Sequence, residues 1–279
     1  MKIMLLLIFS LTYGFVFAQK MPSDYFDEAI YATSVNDNKK AIYDFKYIVD
    51  NFPENELFSL AYFNLAELYF VEKQYDSAIT IYKNILNNDF NDTTLIKADI
   101  MSIPFANFTY KSCLRLSSYY LMNNEFEKAL DYLNLTTTDH KPLSDCANCA
   151  AGFEIDYALN AADIYLQMNK KLNAIQVLLK SYNNAFGSFN SQVEVLKEIF
   201  LTEKNVKNKL DQALKKVYKK ETENNRKSFY EFYIKFYDVD IYLHQPLILE
   251  EPTEELEIEK RIARFKESRL YKMVSELKN

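Results

Sequence analysis

The stretch Ala61-Tyr62-Phe63-Asn64-Leu65-Ala66-Glu67-Leu68-Tyr69 is followed by a polar break at Glu72-Lys73-Gln74 and then by Tyr75-Asp76-Ser77-Ala78-Ile79-Thr80-Ile81-Tyr82. Large apolar residues recur every three to four positions on both sides of the break, which predicts two amphipathic helices. Ala66 and Ala78 are small where two helix backbones must come close. Such a helix pair cannot shield its apolar flanks alone, so further copies are expected beside it.

The segment resembles a tetratricopeptide repeat. Tyr62, Leu65, Ala66 and Tyr69 occupy the family's aromatic, Leu, small and Tyr positions in the first helix, and Ala78 and Tyr82 match the Ala and aromatic of the second. Used as a template, it finds three weaker copies. Before it stand Tyr25, Ala29, Ala41, Phe45 and Pro53, with Glu28 and Ala32 departing from the family's Leu and Tyr. After it come Leu116, Ser117, Tyr120, Phe126, Ala129 and Leu133, and then Ala162, Tyr165, Ala174 and Leu178, with Ala158 and Ala161 replacing larger residues. Ala41, Ala78, Ala129 and Ala174 are separated by 37, 51 and 45 residues. Against a family repeat of about 34, these copies carry insertions, the longest around Asn87 to Asn107. The resemblance covers about residues 24 to 184. It implies an all-α fold: a right-handed superhelix of TPR-like hairpins, which the composition alone would not specify.

The composition agrees with helices. The 279 residues include 22 Tyr, 21 Phe, no Trp and only three glycines, Gly14, Gly152 and Gly187. No G-x-G-x-x-G turn or phosphate-cradling loop can be written with them, which excludes two large enzyme classes. The same scarcity suggests few turns needing positive φ, and so helices joined by ordinary polar loops. A formal net charge of −6 argues against non-specific nucleic-acid binding.

The chain opens with Lys2, an apolar run from Ile3 to Phe17, and Val16-Phe17-Ala18 before Gln19, the layout of a secretory signal peptide cleaved after Ala18. The run is too short and too diluted by Ser10, Thr12 and Gly14 to span a bilayer, and no later stretch reaches that length. No cysteine lies near the cleavage point for lipid attachment. The reading is an exported protein, periplasmic or secreted, with residues 1–18 as signal, 19–186 as helical repeats, and 187–279 as a C-terminal region.

That C-terminal region reads as helices over Ser191–Leu201 and Val206–Glu221, the second rich in lysine. Phe229 to Leu243 then alternates, with Phe232, Ile234 and Phe236 on one side and Glu231, Tyr233 and Lys235 on the other, which predicts a β-hairpin turning near Tyr237-Asp238. After Pro246 and Pro252, a long charged helix from Thr253 to Leu277 is expected, as a terminal cap or a homodimer helix.

Little in the sequence points to catalysis. Only His140 and His244 exist, so an H-E-x-x-H zinc helix is impossible, and no G-x-S-x-G elbow is present. Cys146-Ala147-Asn148-Cys149 in an exported chain is read first as a local disulfide, with a redox pair or a metal site joined by His140 as alternatives. Cys113 falls on the apolar side of a repeat helix. No cofactor, metal or catalytic residue is assigned. Tetratricopeptide proteins bind peptides or partner domains in a groove lined by the first helix of each hairpin. Carried over by position, that implies Phe26, Ile30, Phe63, Glu67, Phe70, Lys111, Leu114 and Asp163 as groove residues, and a non-catalytic scaffold of the cell envelope or secreted fraction as the function. The competing reading is an envelope hydrolase or thiol-redox protein that uses the repeats as scaffold.

Overall fold

In a computed structural model, the protein is described over residues 20–88, 90–96, 105–184, 191–224, 227–244 and 254–277. The expected signal segment and the Pro246–Pro252 loop lie outside these residues. The chain divides into two compact units, one ending at Asn91 and the other beginning at Asp92.

The first unit holds two helical hairpins: α1 (Pro22–Ser34) with α2 (Asn38–Asn51), and α3 (Phe58–Val71) with α4 (Tyr75–Asn87). The second helix of the first pair packs on the first helix of the next, α2 on α3. Each hairpin closes over alanines that are fully buried, Ala29 and Ala41 in one, Ala61, Ala66 and Ala78 in the other. The residues that depart from the repeat pattern in the first copy have their own explanation. Glu28 sits on the surface between Lys20 at 2.5 Å and Lys40 at 2.8 Å, so it forms an ion-pair bridge where a Leu would otherwise pack.

The second unit contains two further hairpins, α5 (Phe108–Met122) with α6 (Phe126–Leu135) and α7 (Ala147–Gln167) with α8 (Lys171–Asn184), and then α9 (Ser191–Leu201) and α10 (Val206–Leu214). Stacking is again sequential, α6 on α7 and α8 on α9. The start of α5 is pinned by the preceding insertion: the Thr109 N–H donates to the Asp92 carboxylate at 3.0 Å, and the Asn107 side chain exchanges two hydrogen bonds with the Leu143 backbone, at 2.7 and 3.2 Å.

One turn is shared by all four hairpins. At Asn36, Lys73, Asn124 and Asn169 the backbone is left-handed, with φ between 58° and 61°. The next residue's N–H reaches back five positions, from Asp37 to the Ala32 carbonyl, Gln74 to Tyr69, Glu125 to Tyr120 and Lys170 to Tyr165, at 2.8 to 2.9 Å. The left-handed residue itself donates to the carbonyl three positions back. These are the paired bonds of a Schellman C-cap. The donor residue's own carbonyl, that of Asp37, Gln74, Glu125 or Lys170, then accepts from the N–H of Ala41, Ala78, Ala129 or Ala174, in the first turn of the second helix. The scarcity of glycine therefore does not mean few positive-φ turns; asparagine, whose short polar side chain tolerates this region, and one lysine supply them.

The C-terminal part corrects two sequence expectations. Residues 218–221, expected to continue a helix, belong to strand β1 (Tyr218–Asn224), which pairs antiparallel with β2 (Lys227–Phe236), itself paired with β3 (Val239–Tyr242). The hairpin at Tyr237-Asp238 is present, but within a three-stranded sheet; both turn residues have φ above 50°, as a two-residue type I′ turn requires. The long terminal helix is two helices, α11 (Glu254–Lys266) and α12 (Arg269–Glu276), because Ser268 caps the second by accepting from the Tyr271 N–H. Phe265, Leu270, Met273, Val274 and Leu277 are buried in one cluster with the inner face of the sheet, Phe232, Ile234, Phe236 and Ile241, and with α8, α9 and α10. The apolar seam that could have served a dimer is thus occupied within the chain's own core.

The shared turn gives a direct test. Lysine at a left-handed position carries a steric cost that glycine lacks, so Lys73→Gly is expected to stabilise the chain by about 0.5–1 kcal/mol. Asn169→Val, placing a β-branched residue at positive φ, should destabilise by about 1–2 kcal/mol. Thermal unfolding reads both as shifts of opposite sign, and a Lys73→Gly variant that melts lower than the parent would refute the account.

Candidate partner-binding faces

In the first unit, the first helices α1 and α3 carry the residues implied by the repeat resemblance. Phe26 and Ile30 lie four apart on one stripe of α1. Phe26 is half-buried, its ring edge-on to Phe45 of α2 at 5.5 Å, and Ile30 is 47% exposed. On α3, Phe63, Glu67 and Phe70 gather around one side chain, the fully buried Tyr82 of α4: Phe63 at 6.1 Å and Phe70 at 6.3 Å between ring centroids, with Glu67 accepting from the Tyr82 hydroxyl at 2.6 Å. Phe70 also meets Tyr75 edge-on at 5.3 Å. These three are therefore half-buried wall residues of their own hairpin, while Ile30 is the apolar group that faces water.

In the second unit, Lys111 and Leu114 share one side of α5 and are half-buried, and Asp163 is exposed on α7, where both its oxygens lie 3.3 Å from the Gln167 amide. Sequence reasoning did not single out the aromatic files on other faces. Tyr25 stacks on Tyr47 at 4.3 Å, Tyr43 and Phe52 extend that file, and the Lys20 ammonium caps it 4.2 Å from the Tyr25 ring. Phe58, Tyr62 and Phe90 form a second file. The Tyr43–Tyr47 spacing of four was the readable signal for the first.

The outer face of the sheet is an ordered polar surface. Tyr218, Tyr233 and Tyr242 are cross-strand neighbours, Tyr218 stacked on Tyr233 at 6.1 Å and Tyr242 tilted against Tyr233 at 5.6 Å. Asp240 lies between Lys220 at 2.5 Å and Lys235 at 3.3 Å, and the Tyr218 hydroxyl is buried beside the same carboxylate without an ideal hydrogen bond of its own. The Lys220 hydrogen bond first, with the neighbouring hydroxyl and Lys235 adding to it, holds the Asp240 carboxyl down at about 2.

The three cysteines occupy different settings. Cys113 is fully buried, and burial pushes its thiol up to about 12, the opposite of an activated nucleophile. Cys146 is the N-cap residue of α7 and Cys149 stands one turn on, and the hydrogen bond from Cys146 is the leading cause that raises the Cys149 thiol. Among the described residues, no group of three or more His, Cys, Asp or Glu side chains could hold a metal ion, and no helix is long and apolar enough to cross a membrane.

Sequential helix pairs joined by one recurrent turn define a helical-repeat scaffold, a class that works by presenting surface. The hairpin α3–α4 is of tetratricopeptide type: residues 49–90, which include all of both helices, match the family described as YpiA-like, tetratricopeptide repeats. Eleven solved chains match. One is the crystal structure of MamA protein, 18% identical, with a TM-score of 0.35 over 66% of this chain and 92% of that chain. No curated protein matches the chain.

The Asp240 cluster predicts a pH dependence. A carboxyl whose pKa is lowered on folding contributes stability that is present above its unfolded value and lost as pH falls through the folded one, here between about pH 4 and pH 2. Asp240→Asn should cost about 0.5–1 kcal/mol at neutral pH and flatten the acid limb of stability in that window. Urea unfolding of both proteins from pH 6 down to the acid limit checks this, and parallel curves would rule it out.

Proposed function

We propose that this protein is a non-catalytic scaffold of the cell envelope or secreted fraction that holds a segment of another protein on the first-helix faces of its tetratricopeptide repeats. The observation that carries the reading is the α3 face inside the matched repeat, where Phe63, Glu67 and Phe70 are set by Tyr82 into a fixed wall, with Ile30 and Phe26 providing apolar surface on α1 in the same unit. A wall fixed before binding loses little side-chain entropy when a partner arrives. The chemistry it favours is an amphipathic segment offering apolar side chains. Lys111 and Leu114 on α5 and Asp163 on α7 are proposed as contact residues of the second unit.

Alanine at Phe63 or Phe70 would strip packing from Tyr82 as well as any partner contact, so exposed positions make the cleaner probe. A photo-crosslinking residue at Ile30 is expected to give a discrete adduct in the native host, and one at Lys46, exposed on α2, should not. Adducts identical at both positions, or none at Ile30 while the protein is folded and expressed, would defeat the assignment.

The export reading and the cysteine pair are tested together. The mature protein should begin at Gln19, and its Cys146–Cys149 pair should resist a thiol-alkylating reagent until reductant is added. An N-terminus at Met1 with both thiols modified directly would contradict both proposals.

A further inference from the structure

The lysine-rich segment after α9 is a shaped site. Where α10 ends beside the sheet, Asn208, Lys209, Gln212, Ala213, Lys216 and Lys235 line a concavity of about 440 Å³. Asn208 and Gln212 stand four apart on α10, Lys216 follows two residues beyond the end of that helix, and Ala213 is the one apolar residue of the lining. The lining holds three ammonium groups and two amides and no carboxylate, in a chain whose formal charge is −6.

These cations keep much of their charge available. The Lys209 ammonium rests over the Tyr237 ring, 4.6 Å from its centroid and 3.3 Å from its hydroxyl, a contact that positions it without neutralising it. Lys235 has Asp240 at 3.3 Å, but Lys220 holds the other oxygen of the same carboxylate at 2.5 Å, so one anion serves two lysines. Lys216 has no ion-pair partner among the described residues. The neighbouring acids are engaged elsewhere: Asp211 lies against the Tyr271 hydroxyl at 3.5 Å, Glu203 pairs with Lys171 at 3.2 Å, and Glu231 accepts from Tyr233 at 2.5 Å. The platform under Lys209 is rigid. Tyr237 is held at positive φ by stacking on Phe200 at 5.5 Å and edge packing on Phe236 at 4.8 Å, and its carbonyl accepts from Gln176 of α8 at 3.1 Å.

We propose that this concavity is a binding site for a phosphate group, either on a soluble phosphate compound or on the headgroup of an anionic lipid. A tetrahedral dianion answers the surplus of converging donors, with Lys216 and Lys235 supplying charge, Lys209 held in place by its aromatic platform, and Asn208 and Gln212 adding neutral hydrogen bonds. The site is independent of the first-helix faces, so either proposal can fail alone.

Pyrophosphate is the soluble probe, titrated into the full mature chain at low salt with amide NMR shifts as readout. Saturable shifts confined to the end of α10 and to β2 around Lys235 are expected. Lys216→Ala with Lys235→Ala should weaken binding roughly tenfold or more. Lys216→Gln with Lys235→Gln repeats the test with less change in bulk, and Lys204→Ala with Lys207→Ala, outside the concavity, should leave affinity unchanged. Sedimentation with phosphatidylglycerol vesicles, against phosphatidylcholine, separates the sources: variant-sensitive binding to the anionic vesicles assigns a lipid headgroup, and its absence beside intact pyrophosphate binding assigns a soluble phosphate. Equal pyrophosphate affinity in parent and pocket variants, or shifts spread over all the lysines without saturation, would overturn the site.

Discussion

The organising constraint is a hydrogen bond that runs backwards across each hairpin turn, from the N–H that follows a left-handed residue to a carbonyl five positions earlier. It closes one helix while its own residue opens the next, so the chain reverses within a few residues and the entry to the second helix is fixed by the exit from the first. Five residues after the left-handed position stands the buried alanine, in every copy. The turn thus decides which small side chain faces the partner helix, and a small side chain is what lets the backbones approach. Repeat length varies by more than ten residues between copies, yet this distance does not vary. Insertions are admitted between hairpins and excluded from within them.

This explains what the sequence disclosed and what it concealed. The spacing of Tyr62, Leu65, Ala66, Ala78 and Tyr82 sufficed for the hairpin, because helix periodicity and a small-residue crossing are local properties. The turn chemistry was readable too, in Asn36, Asn124 and Asn169, had asparagine been weighed as a substitute for glycine. Strand β1 was not readable in that way. Tyr218-Lys219-Lys220-Glu221 has good helix formers and no apolar alternation, and becomes a strand because Tyr218 stacks on Tyr233 and the lysines suit an edge. The site residues divide along the same line. Phe63 and Phe70 were identifiable as large residues on a first helix, but that both lean on Tyr82 is a tertiary fact.

The C-terminal part shows how a repeat stack is finished. The last hairpin leaves an apolar flank on α8, including Ile175, Leu178 and Leu179, and a further identical hairpin does not follow. Instead α9, α10, the inner face of the sheet and the two terminal helices share one core with it. Arg261 ties this assembly together. Its buried guanidinium donates to the Leu243 carbonyl at 2.6 Å and to Glu257 at 2.6 and 3.0 Å, and lies 4.8 Å from the Phe232 ring. Burying a charge is costly unless it is both paired and hydrogen-bonded, and here both conditions hold.

That finish has a consequence for surface. Because the inner face of the sheet seals the stack, its alternate residues must all point outward: Tyr218, Lys220, Glu231, Tyr233, Lys235, Asp240 and Tyr242. A strand offers no choice in this, since every inward apolar residue obliges an outward neighbour. The tight turn that aligns β2 with β3 requires positive φ at Tyr237, and the packing that enforces it presents an aromatic ring to Lys209. Lys235 and Lys209 are thereby brought to one concavity by the demands of closing the core. A cap whose geometry is set by burial on one side delivers fixed charged groups on the other, where a ligand that needs them would not have to order them first.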